Sequence, residues 1–127
     1  MKKVIVLFAI VVFAACSNNK ARPDSAIETG REFIRASLDG DFKTAEALLV
    51  NDSENKQLFE SYKRFYNKMP QQEKSNYKKA SYQINKLDEV NDSTTVINYS
   101  NSYMKKPMDI KVVKTNGLWS VDFKFFE

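Results

Sequence analysis

The 127-residue chain contains no histidine, one cysteine and three glycines, and each shortage removes a class of chemistry. Without histidine there is no Ser–His–Asp triad and no Cys–His pair, and a lone cysteine forms neither an internal disulfide nor a Cys/His zinc site. Gly30, Gly40 and Gly117 stand too far apart for a glycine-rich phosphate loop. Charge of one sign is scarce too. The formal charge is +4, of which Lys2 and Lys3 supply two, and from Cys16 onward 18 basic side chains stand against 16 acidic ones. That balance gives no electrostatic reason to expect a nucleic-acid partner. No cofactor and no metal is expected.

What is present begins with Met1-Lys2-Lys3 followed by twelve apolar residues, Val4 to Ala15. As a helix these rise roughly 18 Å, short of the ~30 Å hydrocarbon core that a membrane span crosses. A cationic start, a short apolar run and the small pair Ala14-Ala15 are the parts of a secretory signal peptide. The lone cysteine stands directly after that pair. Phe13-Ala14-Ala15-Cys16 resembles the lipobox of bacterial lipoproteins, with Phe13 where that family most often has Leu. The resemblance implies a diacylglyceryl group on the Cys16 sulfur, cleavage between Ala15 and Cys16, and acylation of the new amine. A thiol suits the first step because sulfur is the most nucleophilic side-chain atom available near neutral pH. The alternative is an incidental cysteine in an ordinary signal peptide. Two or more acyl chains anchor a protein stably, at about 0.8 kcal/mol per buried methylene.

Residues 1–15 are therefore expected to be a signal peptide and residues 16–23 a polar, lipidated tether. Ser17 follows the cysteine, and no acidic run does. By resemblance to lipoprotein sorting signals, that favours the outer membrane, facing the periplasm.

Residues 24–127 carry the pattern of one α+β domain. Ser25 and Glu28 have the spacing of a capping box, and positions 27, 30, 34, 37 and 38, with Phe33, make one helical face. Gly40 is suited to end that helix and Asp41 to cap the next, which shows Phe42, Ala45, Leu48 and Leu49 on one side. A third helix carries Leu58, Phe59, Tyr62, Phe65, Tyr66 and Met69, Pro70 ends or kinks it, and residues 71–77 are expected to add a helical turn. From Lys79 the period falls to two. Ala80, Tyr82 and Ile84 alternate and then slip to Leu87, which predicts a bulge. Two further β-rich runs follow, and Asn116-Gly117 is the strongest hairpin signal in the chain. The last strand is expected to turn Trp119, Val121, Phe123 and Phe125 to one face and Ser120, Asp122 and Lys124 to the other. Three helices covering a curved four-stranded antiparallel meander is the expected architecture.

A helical half containing Phe33-Ile34-x-Ala36-x-Leu38-x-Gly40-Asp41-x-x-x-Ala45, then a sheet ending in an aromatic strand, resembles the nuclear transport factor two-like, or cystatin-like, cone folds. Within these it is similar to the lipoprotein-associated domains of unknown function seen in Bacteroidetes. The resemblance implies a pocket between helices and sheet, and Tyr62, Tyr66, Tyr99 and Trp119, with Tyr103, are the candidates to line it. The competing reading of these aromatics is plain core. Some cone enzymes are isomerases or dehydratases that use a pocket acid or histidine. The acid nearest the aromatic strand, Asp122, is expected on the solvated face, and no catalytic residue is assigned. Tyr77-Lys78-Lys79, Tyr82 and Lys105-Lys106 could form a stripe for single-stranded nucleic acid, but read better as a solvated face or guarded strand edge. The expectation is a non-enzymatic envelope lipoprotein binding a small apolar ligand or another envelope protein. The alternative is a small-molecule isomerase or dehydratase.

Overall fold

The computed structural model describes residues 22–125. The signal peptide, Cys16 and most of the tether lie outside the described residues. Four helices precede four strands: α1 (Ala26–Asp39), α2 (Phe42–Ala47), α3 (Ser53–Asn67), α4 (Gln71–Lys79), β1 (Tyr82–Asn91), β2 (Thr94–Asn101), β3 (Met108–Thr115) and β4 (Leu118–Asp122). The strands form one antiparallel sheet in the order β1-β2-β3-β4, with α1 packed against β2, β3 and β4, α2 and α4 against α1, and α3 against α2 and the turn that follows β4.

Local chemistry sets the element ends. Ser25 Oγ accepts from the Glu28 amide (3.2 Å) to start α1, and Gly40, at φ +71°, ends it in the left-handed conformation. Asp41 and Asp52 cap α2 and α3 through the amides of Thr44 and Asn55. Asn116 and Gly117 both have positive φ, so the β3–β4 hairpin closes through them as its two-residue turn. The register of β1 on β2 shifts between Ile84 and Lys86, where the alternation slipped in the sequence, and again between Glu89 and Asn91.

The core is α1's Phe33, Ile34 and Leu38 laid on Ile97, Ile110, Val112 and Val121, with α2 and α3 adding Ala45, Leu48 and Phe59. Contact at Gly30 is close enough that a Cβ there would collide with Ile97 Cδ1, which explains glycine in mid-helix.

Three expectations are corrected. A full fourth helix, α4, follows Pro70 in place of a single turn. In α3 only Asn55 and Phe59 are buried, while Leu58 and Phe65 of the apolar face stay exposed. The last strand stops at Asp122, and Phe123–Phe125 form a 3₁₀ turn. The cause is Asn55, whose Oδ1 takes the Phe123 amide (2.6 Å) out of the ladder. Phe125 is consequently exposed, and Ser120, expected on the outer face, is 8% exposed beneath Arg22.

Candidate functional site

A cavity of about 120 Å³ lies where α1, α3 and α4 stand over the far end of the sheet. Helix α1 contributes Phe33, Ile34, Ser37 and Leu38, and α3 contributes Tyr62, Phe65 and Tyr66. Tyr77 comes from α4, and Tyr99, Asn101 and Met108 come from the sheet. Met69, Met104 and Phe123 complete the lining.

Its walls are held by aromatic contacts. Phe42 meets Tyr66 edge to face at 4.8 Å, Phe59 meets Phe123 at 5.5 Å, and Tyr77 meets Tyr103 at 4.9 Å. Such pairs contribute roughly 0.5–1.5 kcal/mol each beyond their area. Tyr66 is further seated over Gly40, where a Cβ would lie 2.5 Å from its hydroxyl oxygen. The Lys74 ammonium stands 5.3 Å from the Tyr66 ring centroid. Phe65 and Met104 are 64% and 47% exposed, so the cavity opens between α3 and the β2–β3 connection.

Among the described residues none of the lining side chains is Asp, Glu, Lys or Arg. Burial, with Tyr77 and Tyr66 adding to it, pushes the Tyr62 hydroxyl up to about 12. The Tyr99 hydroxyl is raised by burial and then by Tyr62, and that of Tyr77 by burial and then by Glu73. These three are neutral near pH 7.

Besides the tyrosine hydroxyls, two polar residues stand in the lining, Ser37 and Asn101. Asn101 is buried, and its Oδ1 accepts from the amides of Tyr103 (3.0 Å) and Met104 (2.7 Å). Ser37 Oγ is buried and has no hydrogen-bond partner among the described residues. Leaving such a group unpaired costs about 1–3 kcal/mol.

Of the five aromatics put forward from the sequence, Tyr62, Tyr66 and Tyr99 line this cavity. Trp119 does not; it borders a separate groove with Ile27, Leu87 and Thr95 at the opposite end of the sheet. Tyr103 supports the wall through Tyr77. Sequence reasoning missed Ser37, Asn101, Met69, Met104 and Met108. Three of the chain's four methionines fall within these forty residues, a usable signal because thioethers recur on adaptable apolar binding surfaces.

Asp122 lies outside the cavity and is only 17% exposed, where a solvated residue was expected. It accepts from Asn55 Nδ2 (3.4 Å) and the Lys124 amide (3.3 Å). Asp52 accepts from the Asn55 amide and Nδ2, and these bonds lower its pKa below the usual carboxylate value. The Lys124 ammonium, 3.4 Å from Asp52, joins the network and binds the end of β4 to the start of α3.

A larger trough runs along α1 past Glu28, Arg31, Arg35 and Asp39, but it is shallow-walled, open and lined largely by charged side chains. Arg35 is engaged there with Asp39 and the carbonyl of Ala80.

No family model, curated protein or solved structure matches the chain.

Proposed function

We propose that this chain is a lipid-anchored envelope lipoprotein whose cone-like domain, of the nuclear transport factor two-like kind, binds a small apolar ligand without catalysing its conversion. The observation that carries the binding half is the cavity, walled by aromatic and thioether groups and free of acids and cations among the described residues. Proton abstraction needs a base beside the substrate, and this wall offers none. An apolar cavity of about 150 Å³ is enough for a benzene-sized group, close to the volume here. The order of four helices and then a four-stranded meander supports the cone reading.

The anchoring half rests on Phe13-Ala14-Ala15-Cys16, and Arg22 supports it. Arg22 donates to the carbonyls of Ala47 (2.7 Å) and Trp119 (3.0 Å) and to Ser120 Oγ (2.6 Å). The tether is thus held at the end of the sheet where Thr94, Val113 and Ser120 align. Tyr99 and Met108, at the cavity, pair about 17 Å further along the strands. Six residues from Cys16 to Arg22 reach at most about 20 Å, so the lipid holds the closed end near the bilayer and the cavity faces away from it.

Methionine methyl signals test the binding half directly, because Met69, Met104 and Met108 all line the cavity. With ¹³C-methyl methionine in the lipidated protein, titration with benzene should shift those three signals and leave the indole signal of Trp119, at the opposite end of the sheet, unmoved. Unmoved cavity signals at saturating benzene would sink the binding reading. Cys16→Ala should release the protein from the membrane fraction, and a variant that still sediments like wild type would sink the anchor.

A further inference from the structure

Charge is unevenly divided along the chain. From Ser61 to Ala80 six basic side chains stand against one acid, Glu73, and residues 99–108 add Lys105 and Lys106 with no acid. The rest of the chain from Cys16 onward reverses the balance, with ten basic side chains against fifteen acidic ones. The two basic segments are also the ones that build the open end. The first supplies Tyr62, Phe65, Met69 and Tyr77 to the cavity, and the second supplies Tyr99, Met104 and Met108.

The excess reaches both lips of the mouth. On one lip Phe65 is 64% exposed, and Lys68 follows it by three residues at the end of α3. The Lys74 ammonium comes to the same place, 3.4 Å from the Asn67 carbonyl and over the Tyr66 ring. On the other lip Met104 runs directly into Lys105 and Lys106. That lip is a held turn. Asn101 Oδ1 accepts from the Tyr103 and Met104 amides, the Asn101 carbonyl accepts from the Lys105 amide (2.9 Å), and Lys105 takes the left-handed conformation at φ +57°. Among the described residues no acid pairs with Lys68, Lys74, Lys105 or Lys106. Cations gathered without answering acids repel one another, and an anion between the lips relieves that repulsion.

Behind the lips the wall has nothing to pair with such an anion. The hydroxyls of Tyr62, Tyr77 and Tyr99 are neutral near pH 7, and no Asp, Glu, Lys or Arg lines the cavity among the described residues. An unpaired charge buried there is strongly disfavoured. A charge on the ligand therefore stays in water at the mouth, and only an apolar group goes in.

We propose that the ligand is an anionic amphiphile, of the fatty-acid or alkyl-phosphate class, whose apolar end enters the cavity while its anionic head group stays at the mouth against Lys68, Lys74, Lys105 and Lys106. This rests on the binding reading above and deepens it: the apolar group that fills the cavity is one end of a charged molecule. The thioethers adapt to the apolar end, and the lysines fix which end goes in.

Hexyl phosphate and hexanol share an alkyl chain and differ in charge, so their affinity ratio tests this. Each is titrated into the lipidated protein in zwitterionic phospholipid nanodiscs, with the methyl signals of Met69 and Met108 as the readout. Partition into lipid is the same for every variant and cancels when ratios are compared. At low ionic strength hexyl phosphate should bind about tenfold more tightly than hexanol, as several exposed ion pairs together give. Near 1 M salt, where screening acts within about 3 Å, the preference should vanish. Lys105→Gln with Lys106→Gln should lower the low-salt ratio about threefold. Lys56→Gln with Lys114→Gln removes as much charge away from the mouth and should keep it. Inorganic phosphate alone should leave the methyl signals unmoved. The assignment is overturned, while the cavity stands, if benzene moves those signals and neither hexyl probe does, or if the two hexyl probes bind equally at low salt. It is overturned too if both lysine pairs lower the ratio alike, or if inorganic phosphate acts as hexyl phosphate does. If neither benzene nor either hexyl probe moves the signals, the binding reading falls and this assignment with it.

Discussion

At one end of the sheet Arg22 reaches the carbonyls of Ala47 and Trp119 and the Ser120 hydroxyl, and residues 48–50 close the outer edge of β4 through the amide and carbonyl of Val121. Asn55, 0% exposed, stands near that edge joined to Asp52, Asp122 and Phe123. At the other end the wall is aromatic rings and thioethers, Phe65 and Met104 face solvent, and Ser37 Oγ has no partner among the described residues. The first end is built from charges and amides that answer one another, and the second from apolar surface with one polar group left over. Satisfied polar networks fix a single arrangement, whereas loosely packed apolar walls accept a guest. The contrast teaches that paired polar groups and open apolar surface stand apart within one small domain, and the proposed binding falls at the second.

High pH should attack the open end first, and with the largest effect. Folding raises the pKa of Tyr62 from 10.0 to about 12, so its contribution is complete below pH 10 and disappears as pH rises through about 12. Tyr62 alone accounts for about 2–3 kcal/mol, and Tyr99, raised by burial, adds to it. Alkaline unfolding followed by tyrosinate absorbance should show those phenols ionising together with loss of structure. The cavity methionine signals should broaden before the indole signal of Trp119. Gradual ionisation of all the tyrosines near pH 10 in a folded chain would erase the distinction between the ends.

Between the two ends, Asn55→Ala should cost about 2–3 kcal/mol, because it removes the buried side chain that ties Asp52 to Asp122 and leaves the Phe123 amide without its acceptor. Phe123 lines the cavity, so benzene binding per folded molecule should weaken as well. Arg22→Ala should cost about 1.5 kcal/mol through the partly buried bonds to Trp119 and Ser120. Urea titrations monitored through Trp119 measure both. For Arg22→Ala, benzene binding per folded molecule should be little changed, and a loss of cavity binding equal to the loss of stability would mean that the two ends do not act separately.

Periodicity made much of this legible. The Ser25 cap, the Gly40 stop, the slip after Ile84 and the Asn116-Gly117 turn each leave a local mark, and each stands where its residues called for it. What stayed hidden is set over long sequence distances. Asn55 captures an amide 68 residues away, so alternation ran past the true end of β4. Trp119 shows in the sequence which way it alternates but not which end of the sheet it occupies, and that is why it was grouped with the cavity tyrosines. Helix α4 has no buried residue and so no apolar stripe to read. The cavity was half visible: tyrosines at helical spacing marked it, while the unpaired Ser37 hydroxyl looked like any serine on a helix.

The smallest predicted effect has the opposite sign. Ser37→Ala removes a buried hydroxyl that has no partner among the described residues and substitutes a better helix former. The ligand-free protein should therefore gain up to about 1 kcal/mol, measured as a raised urea midpoint at constant slope. The same substitution in the closed end, Ser120→Ala, should instead destabilise, since it takes an acceptor from Arg22. If Ser37→Ala destabilised the protein as Ser120→Ala does, the hydroxyl would have a structural partner. The open end would then be as fully satisfied as the closed one.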